Sequence, residues 1–405
     1  MSARVRLGTM MFLQYAIWGA WAPVLSAYLM NDVGLSGAQV GWIYTLLPLA
    51  TIVSPFVGGQ VADRYFASEK VIGVLALTGG VVLLLVSRTT DFGAMAALML
   101  LYCLLYAPTL ALTNSIAMIN LKDSEAEFGR IRVWGTLGWI AAGLALTGWR
   151  RLAAGGAVPG VAADTLLLAG VLSIVMGLQS FTLPHTPPRR EGVKPWAFLE
   201  SLKMLRDRDF AIFVGITFVV ATELEFYYIL TAPFLQSAAI GVSGANVPAV
   251  MTIAQLAEIF VMAFFLSYAL KRWGMRRTLA IGVIAWPLRY VVFAIGAPAW
   301  LVIASLALHG FCYVFFFVAA FIYVDKVAPA DIRASAQSMI AIVALGLGRF
   351  LGSIFAGTIR DAFTSGGTTH WTFVFLVPCV LTVLCAVAFL LFFRGKEAAP
   401  ARAAA

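Results

Sequence analysis

Residues 247–270 read VPAVMTIAQLAEIFVMAFFLSYAL, and Glu258 is the one charged residue among those 24 positions. As a helix the stretch spans roughly 36 Å, enough to cross the ~30 Å hydrocarbon core of a bilayer. Glu258 then falls near the midplane. A carboxylate there is costly, so intramembrane acids face a bundle interior or a water-filled cavity and mark substrate or ion pathways. Gln255 lies three residues earlier on the same helical face. A polar pair at that depth reads as part of a translocation pathway.

The rest of the chain agrees with a membrane setting. It is 61% apolar and 12% charged, with a mean hydropathy of +0.92. So few charges cannot cover a soluble 405-residue domain. The formal charge of +9 does not point to nucleic acid, because Lys and Arg cluster in short gaps between apolar runs, where membrane topology is encoded. Cys103, Cys312, Cys379 and Cys385 lie inside apolar runs without zinc-like spacing and read as buried small residues. Arg4 and Arg6 ahead of an apolar run imitate a signal peptide. The run is long, holds Trp18 and Trp21 and lacks a small-x-small cleavage site, so it reads as a retained first span.

The apolar runs predict an all-α membrane protein with twelve transmembrane helices: approximately 8–30, 39–62, 70–88, 92–119, 130–149, 164–184, 209–236, 247–270, 276–296, 299–324, 333–360 and 370–393. A Pro-containing, basic linker over 185–208 separates an N-terminal bundle, 1–184, from a C-terminal bundle, 209–396. Residues 397–405 read as a disordered tail. The two halves share weak similarities. Ile131-Arg132 opens the fifth span and Ile332-Arg333 the eleventh, and the basic gap Lys271-Arg272 sits where the first half has Asp63-Arg64. They suggest two six-helix pseudo-repeats, the plan of many secondary transporters. With the N-terminus inside, the cytoplasmic side takes nearly all the basic residues and the other keeps Arg88, Arg150, Arg151 and Arg360, which places both termini in the cytoplasm.

No G-x-x-x-x-G-K-[ST], H-E-x-x-H or G-x-S-x-G occurs, so neither an ATP-driven pump nor an enzyme has a motif behind it and no cofactor is called for. The candidate chemistry lies in polar groups within the spans. Arg132, Thr136 and Trp139 share a face by i, i+4, i+7 spacing. Gly135, Gly138 and Gly143 on that span let neighbouring helices come close. Arg132 either snorkels to the cytoplasmic surface or reaches into a cavity. The seventh span carries Glu223, Glu225, Tyr227 and Tyr228. Glu225 and Tyr228 share one face, Glu223 and Tyr227 another. Both acids reach one cavity only if the helix unwinds, which Pro233 would favour; otherwise one serves as an arginine's partner and the other faces substrate. His309, Tyr313 and Phe317 form a stripe on the tenth span, read either as packing or as binding surface. Arg289 and Arg349 are deep enough to be counter-ions or packing groups.

The chain resembles the nucleoside:proton symporters of the major facilitator superfamily. The likeness runs over nearly its whole length, through Phe12-Leu13-Gln14 with Trp18-Gly19, Pro108-Thr109-Leu110, Ile131 to Thr136, Leu183-Pro184-His185, Gln255 with Glu258, Ala285 to Arg289, and Ile332 to Gln337. The run holding Gly59, Asp63 and Arg64 looks like the superfamily's loop motif, with a conformational role. The resemblance implies a major facilitator fold and a multi-pass protein of the bacterial inner membrane. It also implies import of nucleosides with protons by alternating access, the halves rocking around a site near the midplane. The expected substrate-binding residues are Arg132, Thr136, Trp139, Glu225, Tyr228, Gln255, Glu258, His309 and Tyr313, with Glu225 and Glu258 carrying the coupling proton. The expected partners are nucleoside, protons and lipid, with no nucleic acid, in a monomer. Three positions depart from the family's pattern: Glu225 and Tyr228 stand where it has amide side chains, and Val314 where it has an aspartate. A sugar:proton symporter and an uncoupled nucleoside facilitator stay open as alternatives. A drug exporter would require transport of the opposite sign, and a membrane sensor a signalling extension that neither terminus is long enough to hold.

Overall fold

The computed structural model describes residues 2–121, 123–157, 160, 163–187, 198–329 and 331–395, excepting the side chains of 55–65, 124–126, 198, 200 and 334. The loop motif Gly59, Asp63 and Arg64 falls among the exceptions, outside the described residues.

Seven helices occupy the first half: α1 Ala3–Trp21, α2 Leu25–Asn31, α3 Gly37–Tyr65, α4 Ser68–Val86, α5 Phe92–Asn120, α6 Ser124–Ala154 and α7 Asp164–Ser180. Six follow: α8 Arg208–Gln236, α9 Val247–Arg272, α10 Gly274–Ile295, α11 Ala299–Val327, α12 Ser335–Ala362 and α13 Trp371–Phe392. The described residues are otherwise helical turns and loops, apart from a small hairpin pairing Thr364–Ser365 with Thr368–Thr369. Nine of the described helices are long and apolar enough to cross a membrane: α3, α4, α5 and α8 to α13. Of the rest, α7 has 17 residues, and arginines dilute the apolar runs of α1 and α6.

Local chemistry sets several ends. Ser36 and Gln39 make a capping box at the start of α3, Gln39 N donating to Ser36 Oγ and Ser36 N to Gln39 Oε1. Asp91 caps α5 by accepting from Ala94 N at 2.9 Å. Gly296, at φ 64°, closes α10 in the left-handed conformation. By contrast Pro233 does not interrupt α8, which runs unbroken from Arg208 to Gln236.

The chain divides into two compact units. The first comprises Met1–Val193, Tyr227–Thr252 and Ser353–Asp361. In it α1 packs along α6, and α4 along α7. The α1–α6 approach depends on glycine, since a Cβ at Gly138 would lie 2.0 Å from the Phe12 carbonyl oxygen. Asp361 accepts from Gly37 N and Ala38 N, both at 2.7 Å, and so holds the α3 N-terminus. The Leu183-Pro184-His185 motif begins a docked segment. Thr186 N donates to Glu69 Oε2 at 3.0 Å, His185 Nδ1 lies 2.8 Å from Oε1, and Ser68 N donates to Thr186 O.

The second unit comprises Lys194–Phe226, Ile253–Gly352 and Ala362–Ala405. There α10 packs along α13 and against α11. Trp286, Arg289 and Tyr290 of α10 are wholly buried. Three helices of this unit each contain one π-helical stretch, Val261–Leu266 in α9, Tyr313–Val318 in α11 and Ile342–Leu347 in α12. Such stretches are rare and recur at functional sites.

Candidate functional site

In the first unit the α6 face predicted from spacing is assembled against α1. The Arg132 guanidinium lies 3.9 Å from the centroid of the Tyr15 ring, a cation–π contact. A glycine at 135 makes room for it: a Cβ there would come within 2.6 Å of Tyr15 Cδ2 and 2.8 Å of Arg132 Nη1. Arg132, half-buried, is held on an aromatic face. One turn on, Thr136 is half-buried. Trp139 sits against Gly19, where a Cβ would be 2.7 Å from it. Its ring meets Trp18 edge-on at 5.5 Å and Tyr228 at 6.4 Å. The Trp18-Gly19 motif therefore shapes the seat of Trp139. The Gln14 and Thr109 motifs meet: Gln14 Nε2 donates to Thr109 Oγ1 at 2.9 Å in a buried contact, while Gln14 Oε1 has no partner among the described residues.

The second unit treats its charges differently. Glu225 is fully buried and ion-paired with Arg349 Nε of α12. That approach again needs glycine, because a Cβ at Gly348 would meet Ala221 at 2.5 Å and one at Gly352 would meet the Thr222 carbonyl at 2.4 Å. Arg349 is thus the counter-ion that the sequence left unassigned. Arg289 stacks on Trp286 and Tyr290, at 4.6 and 5.2 Å, and donates from Nη1 to His309 Nδ1 at 3.0 Å. The Nδ1 of His309 is therefore an acceptor, which fixes a neutral ring with its hydrogen on Nε2. His309 has no exposed surface and stacks on half-buried Tyr313 at 5.7 Å.

On α9, Gln255 is buried, and its Oε1 has no hydrogen-bond partner among the described residues. A buried amide acceptor left open is costly unless water or a ligand fills it. Glu258 is half-buried one turn on. Val314 is wholly buried and cannot titrate.

The structure thus brings Arg132, Trp139 and Tyr228 into one aromatic cluster through Tyr15 and Trp18; in the second unit Glu225 pairs with Arg349, and His309 joins Arg289 and Tyr313. Sequence reasoning missed Tyr15, whose only signal was the glycine at 135. It also missed which acid Arg349 would take.

Comparison with known proteins follows the same lines. The family model described as Nucleoside H+ symporter matches residues 1–398. The putative nucleoside transporter YegT of Escherichia coli (strain K12) is 36% identical over 98% of this chain and 95% of its own. Nucleoside permease NupG of the same strain is 29% identical over 98% of this chain and 97% of its own. The crystal structure of nucleoside transporter NupG superposes with a TM-score of 0.87 at 27% identity, covering 98% of this chain and all of that one. The chain belongs to the nucleoside H+ symporter family, a family of transporters and not of enzymes, and is a multi-pass membrane protein.

Proposed function

We propose that this member of the nucleoside H+ symporter family imports nucleosides together with protons across the bacterial inner membrane, by alternating access. The observation that carries the reading is the match of the family model over residues 1–398. The polar groups agree with it. A nucleoside has a flat base that stacks on indole or phenol rings and ribose hydroxyls that carboxylates and amides can hold. Trp139, Tyr228 and Tyr313 supply rings, while Arg132, Thr136, Gln255 and Glu258 supply donors and acceptors. His309 acts through the Tyr313 ring on which it stacks. Glu225 and Glu258 are the acids proposed for coupling, with Glu225 taking a proton only by releasing Arg349.

The proposed topology has twelve spans in two six-helix pseudo-repeats, 1–184 and 209–396, joined by a cytoplasmic linker, with both termini inside and the monomer as the working unit. Gly59, Asp63 and Arg64 are proposed to serve conformational change. Thermal-shift titration of purified protein with nucleosides, nucleobases and sugars tests substrate class, followed by uptake into proteoliposomes under an imposed pH gradient. Stabilisation and concentrative uptake are expected with nucleosides. Stabilisation by sugars alone would move the assignment to the sugar reading, and uptake indifferent to the gradient would make the protein a facilitator.

A further inference from the structure

Two carboxylates lie two residues apart on α8, and among the described residues only one has a cation. We propose that Glu223 is a proton-binding carboxyl of the transport cycle and carries its proton in the conformation described here. The inference rests on the proton-coupled reading above and names the group on which the proton resides while Glu225 is paired with Arg349.

Glu223 has no exposed surface. Among the described residues no basic side chain is within ion-pair distance of it, and its Oε2 has no hydrogen-bond partner. The Thr222 hydroxyl approaches Oε1 at 3.5 Å, but it lies 2.6 Å from the Val219 carbonyl, where its single hydrogen goes. No strong donor among the described residues therefore faces either oxygen. A buried carboxylate in that state would forfeit its hydration without compensation, whereas the neutral acid does not.

The groups around it offer no relief. Tyr290 of α10 turns its hydroxyl to the Glu223 backbone carbonyl, not to the carboxyl. Its neighbour Arg289 donates from Nη1 to His309 and makes no ion pair with Glu223 among the described residues. Arg349 of α12 is committed to Glu225. From α13 the nearby titratable group is the Cys385 thiol, which brings no positive charge. Protonation adds one hydrogen to Oε2 and removes one charge, and nothing else is exchanged. Release of that proton needs a conformation in which water or a cation reaches Oε2. Loss of the proton is thereby tied to a rearrangement of the helices around α8, which is the requirement for coupling. Because Val314 holds no proton, the symporter needs such a site elsewhere.

The test uses Glu223→Gln, which mimics the protonated acid. In proteoliposomes this variant is expected to retain nucleoside exchange but to lose concentrative uptake, the internal-to-external ratio falling to unity, and its nucleoside affinity should no longer vary with pH. Infrared difference spectra should show a protonated-carboxyl carbonyl stretch at neutral pH in wild type and in Glu225→Gln, absent in Glu223→Gln. Wild-type accumulation by Glu223→Gln, or a band that survives in it, overturns the proposal. If Glu223→Gln does not fold, Glu223→Asp keeps the titration and should shift both the band and the pH midpoint of uptake; unchanged values there count equally against it. If wild type moves no nucleoside at all, the transport reading fails, and the infrared band still decides whether Glu223 holds a proton.

Discussion

Arg132 in the first unit and Glu225 in the second are held by different means. In the first, the principal cation, Arg132, rests on the Tyr15 ring, and the groups around it are aromatic. In the second, Glu225 is locked in an ion pair with Arg349 within the core, and Glu223 has no cation among the described residues. A cation on a π face keeps its hydrogen-bonding edges available for a ligand. A buried ion pair has committed them to each other, and changing it costs the protein a rearrangement. The first arrangement suits recognition, and the second suits storage and release of charge.

The largest effect expected from this contrast lies in the second unit. Arg349→Gln leaves Glu225 buried without its cation and should destabilise the protein by about 3–5 kcal/mol. Glu225→Gln combined with Arg349→Gln should recover most of the loss. Thermal unfolding in detergent measures both, and a double variant as unstable as the single one would mean the pair is not the cause. Next comes the α1–α6 seam on which the first unit depends. Gly138→Ala places a methyl against the Phe12 carbonyl and should cost about 1–3 kcal/mol by overpacking, measured in the same assay. Wild-type stability would show that the helices separate freely.

A smaller effect is expected at the cation–π contact. Tyr15→Leu should weaken nucleoside binding by about 0.5–2 kcal/mol, seen as a raised KM with little change in maximal rate, and Tyr15→Phe should restore it. Arg132→Lys should fail where Tyr15→Phe succeeds, because an ammonium lacks the planar fork. Equal affinity in Arg132→Lys would return Arg132 to a surface-seeking role. The smallest effect is a control on α8. At Gly215 the space where a Cβ would stand is open, with nothing within 4 Å, so Gly215→Ala should be neutral or stabilise by up to about 1 kcal/mol. A clear loss of stability there, in the same unfolding assay, would show that α8 is packed more tightly than this.

Much of this was legible in the chain. Apolar runs of about 20 residues place the helices because a bilayer demands internally satisfied backbone of that length. The i, i+4, i+7 spacing put Arg132, Thr136 and Trp139 on one face because α6 is regular through that region. Spacing also separated Glu223 from Glu225, and α8 stays helical through both. Partner choice was not legible. Arg349 reaches Glu225 across 124 positions of sequence, and nothing local announces it. The π-helical stretches were not legible either. Tyr313 opens one, yet the stripe keeps its ring contacts, His309 to Tyr313 at 5.7 Å and Tyr313 to Phe317 at 5.5 Å. His309 is wholly buried, and no glycine or proline within Tyr313–Val318 signals the π-helical stretch.

The central claim is that nucleoside and proton move together. It is tested most directly by adding nucleoside to proteoliposomes in weakly buffered medium and following the external pH. The account predicts that uridine or adenosine makes the medium more alkaline as protons enter with substrate, that sucrose does not, and that Glu223→Gln abolishes the signal. Nucleoside entry with no change in external pH would contradict it.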